Sequence, residues 1–303
     1  MRNIITILGS SNLDYGIKLP RLPGQGESVT GGHFFHSFGG KGANQAVAVS
    51  RAGHKARFMT ALGPEAINDA MLDSFQSNGL ELSHIYRDRT IHTGTAVIMV
   101  GEEGKNYLGV DAGANHCLSP NWVREHEIAF IDCARLVLQL EIPIEVNAAA
   151  IQIARSHGVP IQLNFAPYDP QATRLLKDID CLIVNEVEAR QLTGQAVLGP
   201  ESALAAIRHL RMLGPHTVII TLGHQGVTAG EGDHFLYEPA LPVNVVDTTA
   251  AGDTFCGYLA ATIANGTPLA EAVRWANRAA ALAVTKPGAQ DSIPARDSVN
   301  FLF

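Results

Sequence analysis

Cysteine and long apolar runs are both scarce in this 303-residue chain. Its four cysteines (Cys117, Cys133, Cys181 and Cys256) are far apart and form no CxxC pair, so we expect buried, reduced thiols rather than a disulfide framework. The apolar run Ile4–Leu8 is too short for the core of a signal peptide, and no run approaches the ~18 apolar residues of a membrane helix. We therefore expect a soluble, cytoplasmic protein with no membrane partner.

Positive charge is sparse as well. Lys and Arg total 22 against 29 Asp and Glu, which gives a net charge of −7, and the cations are scattered along the chain. A surface for nucleic acid would need basic patches, so we expect no nucleic-acid partner. The 12 histidines show no HExxH motif and no metal-like spacing with cysteine. A small anion held by backbone amides needs no basic surface, so a phosphate-bearing substrate remains compatible with this composition.

Two common nucleotide-binding motifs are missing. Gly9–Asp14 follows the first apolar run without a GxGxxG pattern, which disfavours a nicotinamide dehydrogenase. Phe38–Gln45 contains Gly-Gly-Lys-Gly but lacks the earlier Gly and the Ser or Thr of a P-loop. Its glycines still allow the backbone to approach a ligand closely, so the segment remains a candidate binding loop of another kind.

Short β-rich runs alternate with helix-like patterns along the chain. This alternation, with strands that are almost continuously apolar, is typical of a parallel sheet covered by helices on both faces. It predicts a single α/β domain over residues 1–303. The predicted strands are Ile4–Gly9, Arg57–Leu62, Leu136–Leu140, Pro160–Asn164, Cys181–Asn185 and Thr217–Leu222, and the predicted helices include Ala43–Ala52, Ile144–His157 and Glu201–Leu213.

Two segments break this alternation, at about residues 13–39 and 92–112. Tyr15–Phe38 is dense in Gly and Pro, and Thr95–Val100, Gly101–Gly104 and Asn106–Val110 have the pattern of a strand, a turn and a strand. We interpret both segments as antiparallel parts of one small β-sheet lid, because a lid over a phosphoryl-transfer site excludes water. A purely structural sheet is the alternative. Since an exposed flat sheet tends to be covered, we expect a homodimer formed through the lid.

The most informative segment is Val245–Phe255, where a β-branched run leads into small residues, an aspartate and a helical pattern. Ala250, Ala251 and Gly252 leave backbone N–H groups uncovered at the start of that helix, where an anion is favoured. Asp253 would repel a resting phosphate, but it can take a proton from a hydroxyl that attacks a phosphoryl group. That combination indicates a kinase. A simple N-cap role for Asp253 is the alternative.

Polar residues also follow the first predicted strand, at the sheet edge where open α/β sheets bind ligands. Asn12 and Asp14 lie there, and Lys41 and Asn44 supply further donors beside the glycine-rich loop. Such a mixture matches a polyhydroxylated ligand, because each sugar hydroxyl both donates and accepts. Ordinary turn chemistry is the alternative for Asn12 and Asp14.

Two later strands end in similar signals. Asn185–Glu188 places two acids after a strand, which suits a hydrated Mg²⁺ or simply the start of a helix. Thr221–Gly226 ends a strand with two glycines, which suits either the close passage of a nucleotide or a tight turn. Both alternatives stay open on the residues alone.

Taken together, these motifs resemble the ribokinase-like family of carbohydrate kinases, nearly from end to end. Gly39–Ala46 and Asp247–Phe255 carry most of the resemblance, and Ala250 stands where the wider family commonly has Gly. The resemblance implies a three-layer α/β sandwich with a central, mostly parallel sheet and a small β-clasp lid shared in a dimer. The other matching segments are Asn12–Asp14, Ala112–Asn115, Gln139–Glu141, Asn185–Glu188, Thr221–Gly223 and Gly288–Gln290.

The resemblance further implies an ATP-dependent kinase of the primary hydroxyl of a pentose, D-ribose first, giving D-ribose 5-phosphate. Asp253 is the implied general base, and the amides of Ala250, Ala251, Gly252 and Asp253 form the implied anion hole. The alternatives are the same chemistry on deoxyribose, a ketohexose or a nucleoside, and a sugar-binding regulator that has lost catalysis. The implied sugar ligands are Asn12, Asp14, Gly40, Lys41, Asn44 and Glu141, with Ala96, Ile98 and Val110 of the lid closing over the sugar.

Nucleotide and cation sites are implied in the same way. Glu188 would act on Mg²⁺ through water, and Asn277 stands where relatives often place a His against adenine. The implied ATP site comprises Asn185, Thr221, Gly223, Gly226 and Asn277. A monovalent cation, K⁺, would rigidify the anion-hole loop. Its implied ligands are Asp247, the carbonyls of Thr249, Ala283, Lys286 and Gly288, and the hydroxyl of Ser292.

Overall fold

Strands and helices alternate through residues 2–101 and 106–300, the part of the chain that the computed structural model describes. The strands are β1 (Ile4–Leu8), β2 (Asn12–Leu19), β3 (His33–Gly39), β4 (Lys55–Leu62), β5 (Ile85–Arg87), β6 (Gly94–Gly101), β7 (Asn106–Asp111), β8 (Cys133–Leu138), β9 (Ile161–Asn164), β10 (Cys181–Asn185), β11 (Thr217–Thr221), β12 (Val227–Glu231) and β13 (His234–Glu238). The helices are α1 (Lys41–Arg51), α2 (Ile67–Ser77), α3 (Pro120–Glu125), α4 (Ile144–Ser156), α5 (Glu186–Thr193), α6 (Pro200–Arg211), α7 (Ala251–Ala264), α8 (Leu269–Ala283) and α9 (Arg296–Asn300).

All six predicted strands of the parallel sheet are present. β10 has the predicted ends, whereas β8 begins at Cys133, ahead of the predicted Leu136. The predicted helix Ala43–Ala52 begins earlier, at Lys41, directly after the N-cap residue Gly40, and it ends at Arg51. Periodicity therefore located the elements, while their ends depend on contacts that it does not encode.

The larger sheet has the order β13-β12-β11-β10-β9-β8-β1-β4-β5 in the described residues. It is parallel from β11 to β5, and β12 and β13 add an antiparallel edge. One buried cluster packs α1, α7 and α8 on one face, and a second packs α3, α4 and α6 on the other. The predicted three-layer α/β class is thus confirmed, and both faces of the sheet are buried as its apolar strands require.

The smaller sheet has the order β3-β2-β6-β7 and comes from the two segments that break the alternation. β2 pairs with β3 and β6 with β7 in antiparallel fashion, but β2 and β6 pair in parallel. Each segment is therefore antiparallel within itself, as predicted. No sequence signal marks the pairing between the segments, because no tight turn joins β2 to β6 and fixes their directions. The predicted turn over Gly101–Gly104 lies, apart from Gly101, outside the described residues.

Apolar side chains are exposed on the smaller sheet. Phe34 is 67% exposed and Leu108 is 62% exposed, and Val97, Tyr107 and Val110 are also exposed. No helix within the described residues has the length and apolarity needed to span a bilayer. The four cysteines are free, and three of them are buried.

A close contact between α1 and α7 brings Asn44 and Gln45 of α1 near Asp253 of α7. Gly257 makes it possible, since a Cβ atom there would lie 2.4 Å from the Cβ of Ala48 and 2.8 Å from the carbonyl oxygen of Gln45. Both distances are too short for any real side chain. The missing side chain therefore lets the first turn of α7 approach Asn44 and Gln45 of α1.

We predict that Gly257→Ala destabilises the protein, although Ala is the better helix former by about 1 kcal/mol. Overpacking of this kind costs about 1–3 kcal/mol, measured as the free energy of unfolding in urea. Gly252→Ala in the same helix is the matched control for stability, because nothing lies within 4 Å of the Cβ position there. Equal effects of the two substitutions on unfolding would contradict the packing argument.

Candidate active site

Asp253 lies in the first turn of α7, and two amide side chains of α1 hold its carboxylate. Asn44 Nδ2 donates to Oδ2 at 2.9 Å, and Gln45 Nε2 donates to Oδ1 at 3.0 Å. The residue is only 7% exposed. Ala250 occupies the N-cap position of α7, so the alternative in which Asp253 merely caps the helix does not hold. A buried carboxylate with this support has one fixed orientation.

The turn before α7 presents a cluster of unused backbone donors. Within the described residues, the N–H groups of Ala250, Gly252 and Asp253 have no acceptor, whereas that of Ala251 reaches Thr248 O at 3.3 Å. Ala250 has φ of 58°, and it is the one non-glycine residue at positive φ in ranges 2–101 and 106–300. That conformation costs an L-residue about 1–2 kcal/mol. The strained turn thus aims three free donors toward the space beside Asp253, where an anion is favoured.

Gln45 connects this carboxylate to the centre of the sheet. Besides donating to Asp253, its Nε2 donates to Asn164 Oδ1 at 3.2 Å, and its Oε1 accepts from Gln139 Nε2 at 2.8 Å. All of these side chains are buried. The side-chain oxygen Oδ1 of Asn44, in contrast, is buried without a partner in the described structure. Its capacity to accept a hydrogen bond is therefore unused within the described residues.

The start of α1 is anchored by Glu141, which follows β8. Its Oε2 accepts from the N–H of Lys41 at 2.9 Å and from Ser10 Oγ at 2.5 Å. Gly40 precedes the helix with φ of 90°, and a Cβ there would meet backbone atoms of Ser10 and Asn12 at 2.8–2.9 Å. Glycine is therefore required where the loop crosses the end of β1.

Lys41 lies between three carboxylates. Burial alone would lower the pKa of its ammonium. The carboxylates of Asp253, Glu141 and Glu188 outweigh that effect and raise the pKa, so the side chain is charged at neutral pH. A fixed positive charge at this point stabilises negative charge that develops nearby.

The residues of the smaller sheet that are expected to contact the sugar lie in one row across that sheet. Register pairs Asp14 of β2 with Ala96 of β6, and Ala96 with Val110 of β7, so the three side chains share one face. Ile98 lies one step along on that face. Asn12 belongs to it too, and its Oδ1 accepts from Asn115 Nδ2 at 2.9 Å. Both Asn12 and Asp14 therefore belong to a strand, and the turn alternative for them is wrong.

Asp14 is unusual electrostatically. Burial, reinforced by the nearby charge of Glu141, raises the pKa of its carboxyl to about 7. Its ionisation therefore changes in the range where most enzymes work, and a hydroxyl donor at this point would favour the ionised form.

A cavity of about 200 Å³ joins these groups to the carboxyl ends of the parallel strands. Asn185 caps α5, and its Oδ1 accepts from the N–H of Glu188, whose Oε2 accepts in turn from the N–H of Asn185. Burial raises the pKa of Glu188 despite that hydrogen bond and the nearby Lys41. The lining residues are Lys41, Asn164, Ala166, Ile183, Val184, Asn185, Glu188, Thr221, Thr248, Ala250, Gly252, Asp253 and Cys256.

The chain is 40% identical to the ribokinase of Haemophilus influenzae, over 100% of this chain and 99% of that protein. It is 32% identical to the deoxyribokinase of Salmonella typhi, over 98% and 97% of the two chains. The fold is similar to that of the ribokinase of Arabidopsis thaliana complexed with ribose and ATP, with a TM-score of 0.93, 30% identity and coverage of 100% and 99%. The pfkB family carbohydrate kinase model matches residues 3–296. This chain belongs to the pfkB family of carbohydrate kinases.

In this pfkB family member, the segments expected to hold a monovalent cation are neighbours. Asp247 Oδ2 accepts from the N–H of Gly288 at 3.0 Å, and its Oδ1 accepts from the N–H and the hydroxyl of Thr249. Burial acts to raise the pKa of Asp247, but these hydrogen bonds outweigh it and lower the pKa. The loop before α7 is thereby tied to the loop that carries Lys286 and Gly288, directly after Ala283 at the end of α8.

The oxygen-rich donor set fits a hard cation such as K⁺. Ser292 Oγ donates to Ala289 O at 2.8 Å, and the carbonyl of Ala283 accepts from the N–H of Lys286 at 3.1 Å. Across the residues that the structure describes, no group of three or more His, Cys, Asp or Glu could hold a metal. Glu188 lines the cavity, and a carboxylate there is compatible with Mg²⁺ that keeps most of its waters.

Three residues expected at the ATP site of the pfkB family member lie outside the lining of the cavity. Gly223 and Gly226 form a tight turn, in which the N–H of Gly226 donates to Gly223 O at 3.0 Å. The turn itself is thus present, and the role of both glycines beside a nucleotide stays a prediction. Asn277 lies on α8, where its Nδ2 donates to Pro239 O at 2.8 Å. This hydrogen bond joins α8 to the segment after β13, and no local sequence pattern predicts a contact between elements so far apart in the chain.

Sequence reasoning missed several groups that this kinase family member brings together. Gln45, Gln139 and Asn164 form the network behind Asp253, and Thr248 and Cys256 line the cavity. The signal that could have found the network is the run of polar residues at the ends of otherwise apolar strands and at the start of α1.

We predict that Gln45→Leu lowers kcat by about tenfold to a hundredfold, because the carboxylate of Asp253 loses one of its two amide donors and its orientation. Sugar KM should change little, since a positioning residue acts on the reacting geometry. Gln162→Leu is the matched control, because this buried amide bonds to Cys256 O of α7 rather than to Asp253. An equal loss of kcat in both variants, measured by ADP release, would contradict a positioning role for Gln45.

Proposed function

We propose that this pfkB family member transfers the terminal phosphoryl group of ATP to the primary hydroxyl of D-ribose, giving D-ribose 5-phosphate. One observation carries the chemistry: a buried, oriented carboxylate at Asp253 stands beside three unused N–H donors at the start of α7. The relatives named ribokinase, together with the ribokinase fold complexed with ribose and ATP, support this choice of substrates.

The proposed reaction is a displacement at the terminal phosphorus of ATP. The hydroxyl oxygen attacks the terminal phosphorus of ATP while its proton passes to the Asp253 carboxylate. The bond from that phosphorus to the bridging oxygen breaks, and ADP leaves with the electron pair. The free amides at the start of α7 and the ammonium of Lys41 stabilise the charge on the transferring group. Positioning and charge stabilisation supply most of the rate in such reactions.

We predict that Asp253→Asn lowers kcat by about 10²–10⁴-fold, the usual contribution of a general base. Ribose binding, followed by calorimetry, should persist. Asp132→Asn is the control, since that carboxylate pairs with Arg57 away from the cavity. Near-normal ADP release by the Asp253 variant would overturn the assignment, and ribose binding without ADP release in the parent protein would favour the sugar-binding regulator instead.

A second acceptor has specific support, because one relative is named a deoxyribokinase. Ribose and 2-deoxyribose differ by one hydroxyl, and a site whose buried groups pair with that hydroxyl rejects the sugar lacking it. We propose that Asp14 makes this distinction. Equal kcat/KM for the two sugars would exclude it.

We predict that ribose affinity rises with pH through about 7, the raised pKa of Asp14. The carboxyl is protonated below that pH and ionised above it, and the ionised form accepts the stronger hydrogen bonds from sugar hydroxyls. A single carboxyl with this pKa is mostly ionised at pH 8 and mostly protonated at pH 6. The dissociation constant for ribose should therefore rise by about tenfold between pH 8 and pH 6. Asp14→Asn should abolish this dependence, and an unchanged pH profile in that variant would assign the titration to another group.

We also propose that Mg²⁺ and K⁺ assist the reaction. Glu188 would act on Mg²⁺ through water, which adds positive charge at the phosphates. K⁺ would reduce the motion of the loop that carries Ala250. Its ligands would come from Asp247, Thr249, Ala283, Lys286, Gly288 and Ser292. Activity that does not change when Na⁺ or Li⁺ replaces K⁺ would exclude the K⁺ site, and activity in the presence of excess chelator would exclude the Mg²⁺ role.

The exposed apolar surface of the smaller sheet supports a further proposal, a homodimer formed through the lid in the cytoplasm. Phe34, Val97 and Tyr107 share the face opposite Asp14 and Ala96, and they are costly to leave in water. Sedimentation of the protein at micromolar concentration decides the point, since a monomer there would contradict the dimer.

A further inference from the structure

A second cavity lies at the amino edge of the larger sheet, the edge opposite the active site. Its volume is about 420 Å³, which exceeds that of the cavity beside Asp253. It is formed where β9, β10 and β11 begin and where α7 gives way to α8. The lining residues are Arg135, Pro160, Asp180, Cys181, His216, Thr217, Glu231, Ile263, Thr267, Pro268 and Leu269.

Arg135 is the group in this cavity that lacks a counterpart. The residue is only 9% exposed, and its Nε is buried without a hydrogen-bond partner. Among the ion pairs of the described residues, none includes Arg135, whereas Arg57 and Arg155 each pair with a carboxylate. A buried guanidinium with no carboxylate partner is costly, and a bound anion would offset that cost.

The two carboxylates of the cavity are already engaged. Asp180 pairs with Arg155 at 3.1 Å and accepts from the N–H of Ile161 at 2.7 Å. Glu231 accepts from the hydroxyl of Thr217 at 3.0 Å. Neither carboxylate lies within 4 Å of the Arg135 guanidinium, so this cation is still able to bind an anion. The two carboxylates repel further negative charge in the cavity.

The start of α8 adds a second, independent positive feature. This helix begins at Leu269 after Pro268, with no side chain capping its first N–H groups. Pro268 and Leu269 both line the cavity. An uncapped helix N-terminus favours an anion, and here it borders the same space as the guanidinium.

We propose that this cavity binds a small monocarboxylate. A carboxylate matches the planar fork of Arg135, which can donate two parallel hydrogen bonds to it. The carboxylates of Asp180 and Glu231 disfavour a second negative charge, which argues against a phosphate dianion. Ile263 and Leu269 provide apolar surface for the hydrocarbon part of the acid. Burial raises the pKa of Cys181 to about 12, so its thiol is neutral and adds no charge.

Titration with sodium butyrate at constant ionic strength, followed by calorimetry and by the melting temperature, tests the proposal. We expect saturable binding and a concentration-dependent rise in Tm for the parent protein, and neither for n-butanol, which has the same carbon chain without the charge. Inorganic phosphate at pH 8 should bind at least tenfold more weakly than butyrate. Absence of saturable butyrate binding, or phosphate binding as tight as that of butyrate, would overturn the proposal.

Variants separate a ligand-binding arginine from a structural one. Arg135→Met should abolish butyrate binding while leaving the ligand-free protein as stable as the parent or more stable, because an unpaired buried charge is removed. Arg124→Gln, which removes one exposed charge on α3, is the matched control and should bind butyrate normally. Thr267→Phe fills the cavity while keeping Arg135, and it should also abolish binding. Normal butyrate binding by Thr267→Phe, or by a folded Arg135→Met, would refute the site.

Discussion

The arrangement of this protein depends on one contact, the pair of amide hydrogen bonds that Asn44 and Gln45 of α1 donate to Asp253 of α7. A buried carboxylate without such donors would be costly and free to turn. The two helices can supply these donors because Gly257 lets them approach closely. A packing detail in the middle of a helix therefore sets the orientation of the reactive group at its end.

The parallel sheet explains why the other site residues meet. Asn164, Asn185 and Thr221 come at the ends of β9, β10 and β11, so their side chains share one edge although they are far apart in sequence. The same topology gives the opposite edge a separate role, because Arg135, Cys181 and Thr217 lie near the beginnings of their strands. Helix α7 borders both edges, with Asp253 in its first turn and Ile263 near its end.

Sequence patterns predicted much of the fold because they reflect local physics. Near-continuous apolar strands alternating with helical segments admit few arrangements other than a covered parallel sheet, and β10 even has its predicted ends. The parallel pairing of β2 with β6 was missed, since no local signal records which distant strands become neighbours. The contact of Asn277 with Pro239 was missed for the same reason, as it joins residues of two separate elements.

By itself the sequence determined the α/β class, the two inserted segments of the smaller sheet, and the motif of small residues before Asp253, because each depends on residues adjacent in the chain. Tertiary structure alone decided that Gln45 supports that aspartate, that burial beside Glu141 raises the pKa of Asp14, and that Arg135 is left without a partner. Orientation, desolvation and pairing arise from groups that folding brings together, and a linear pattern carries no measure of those distances.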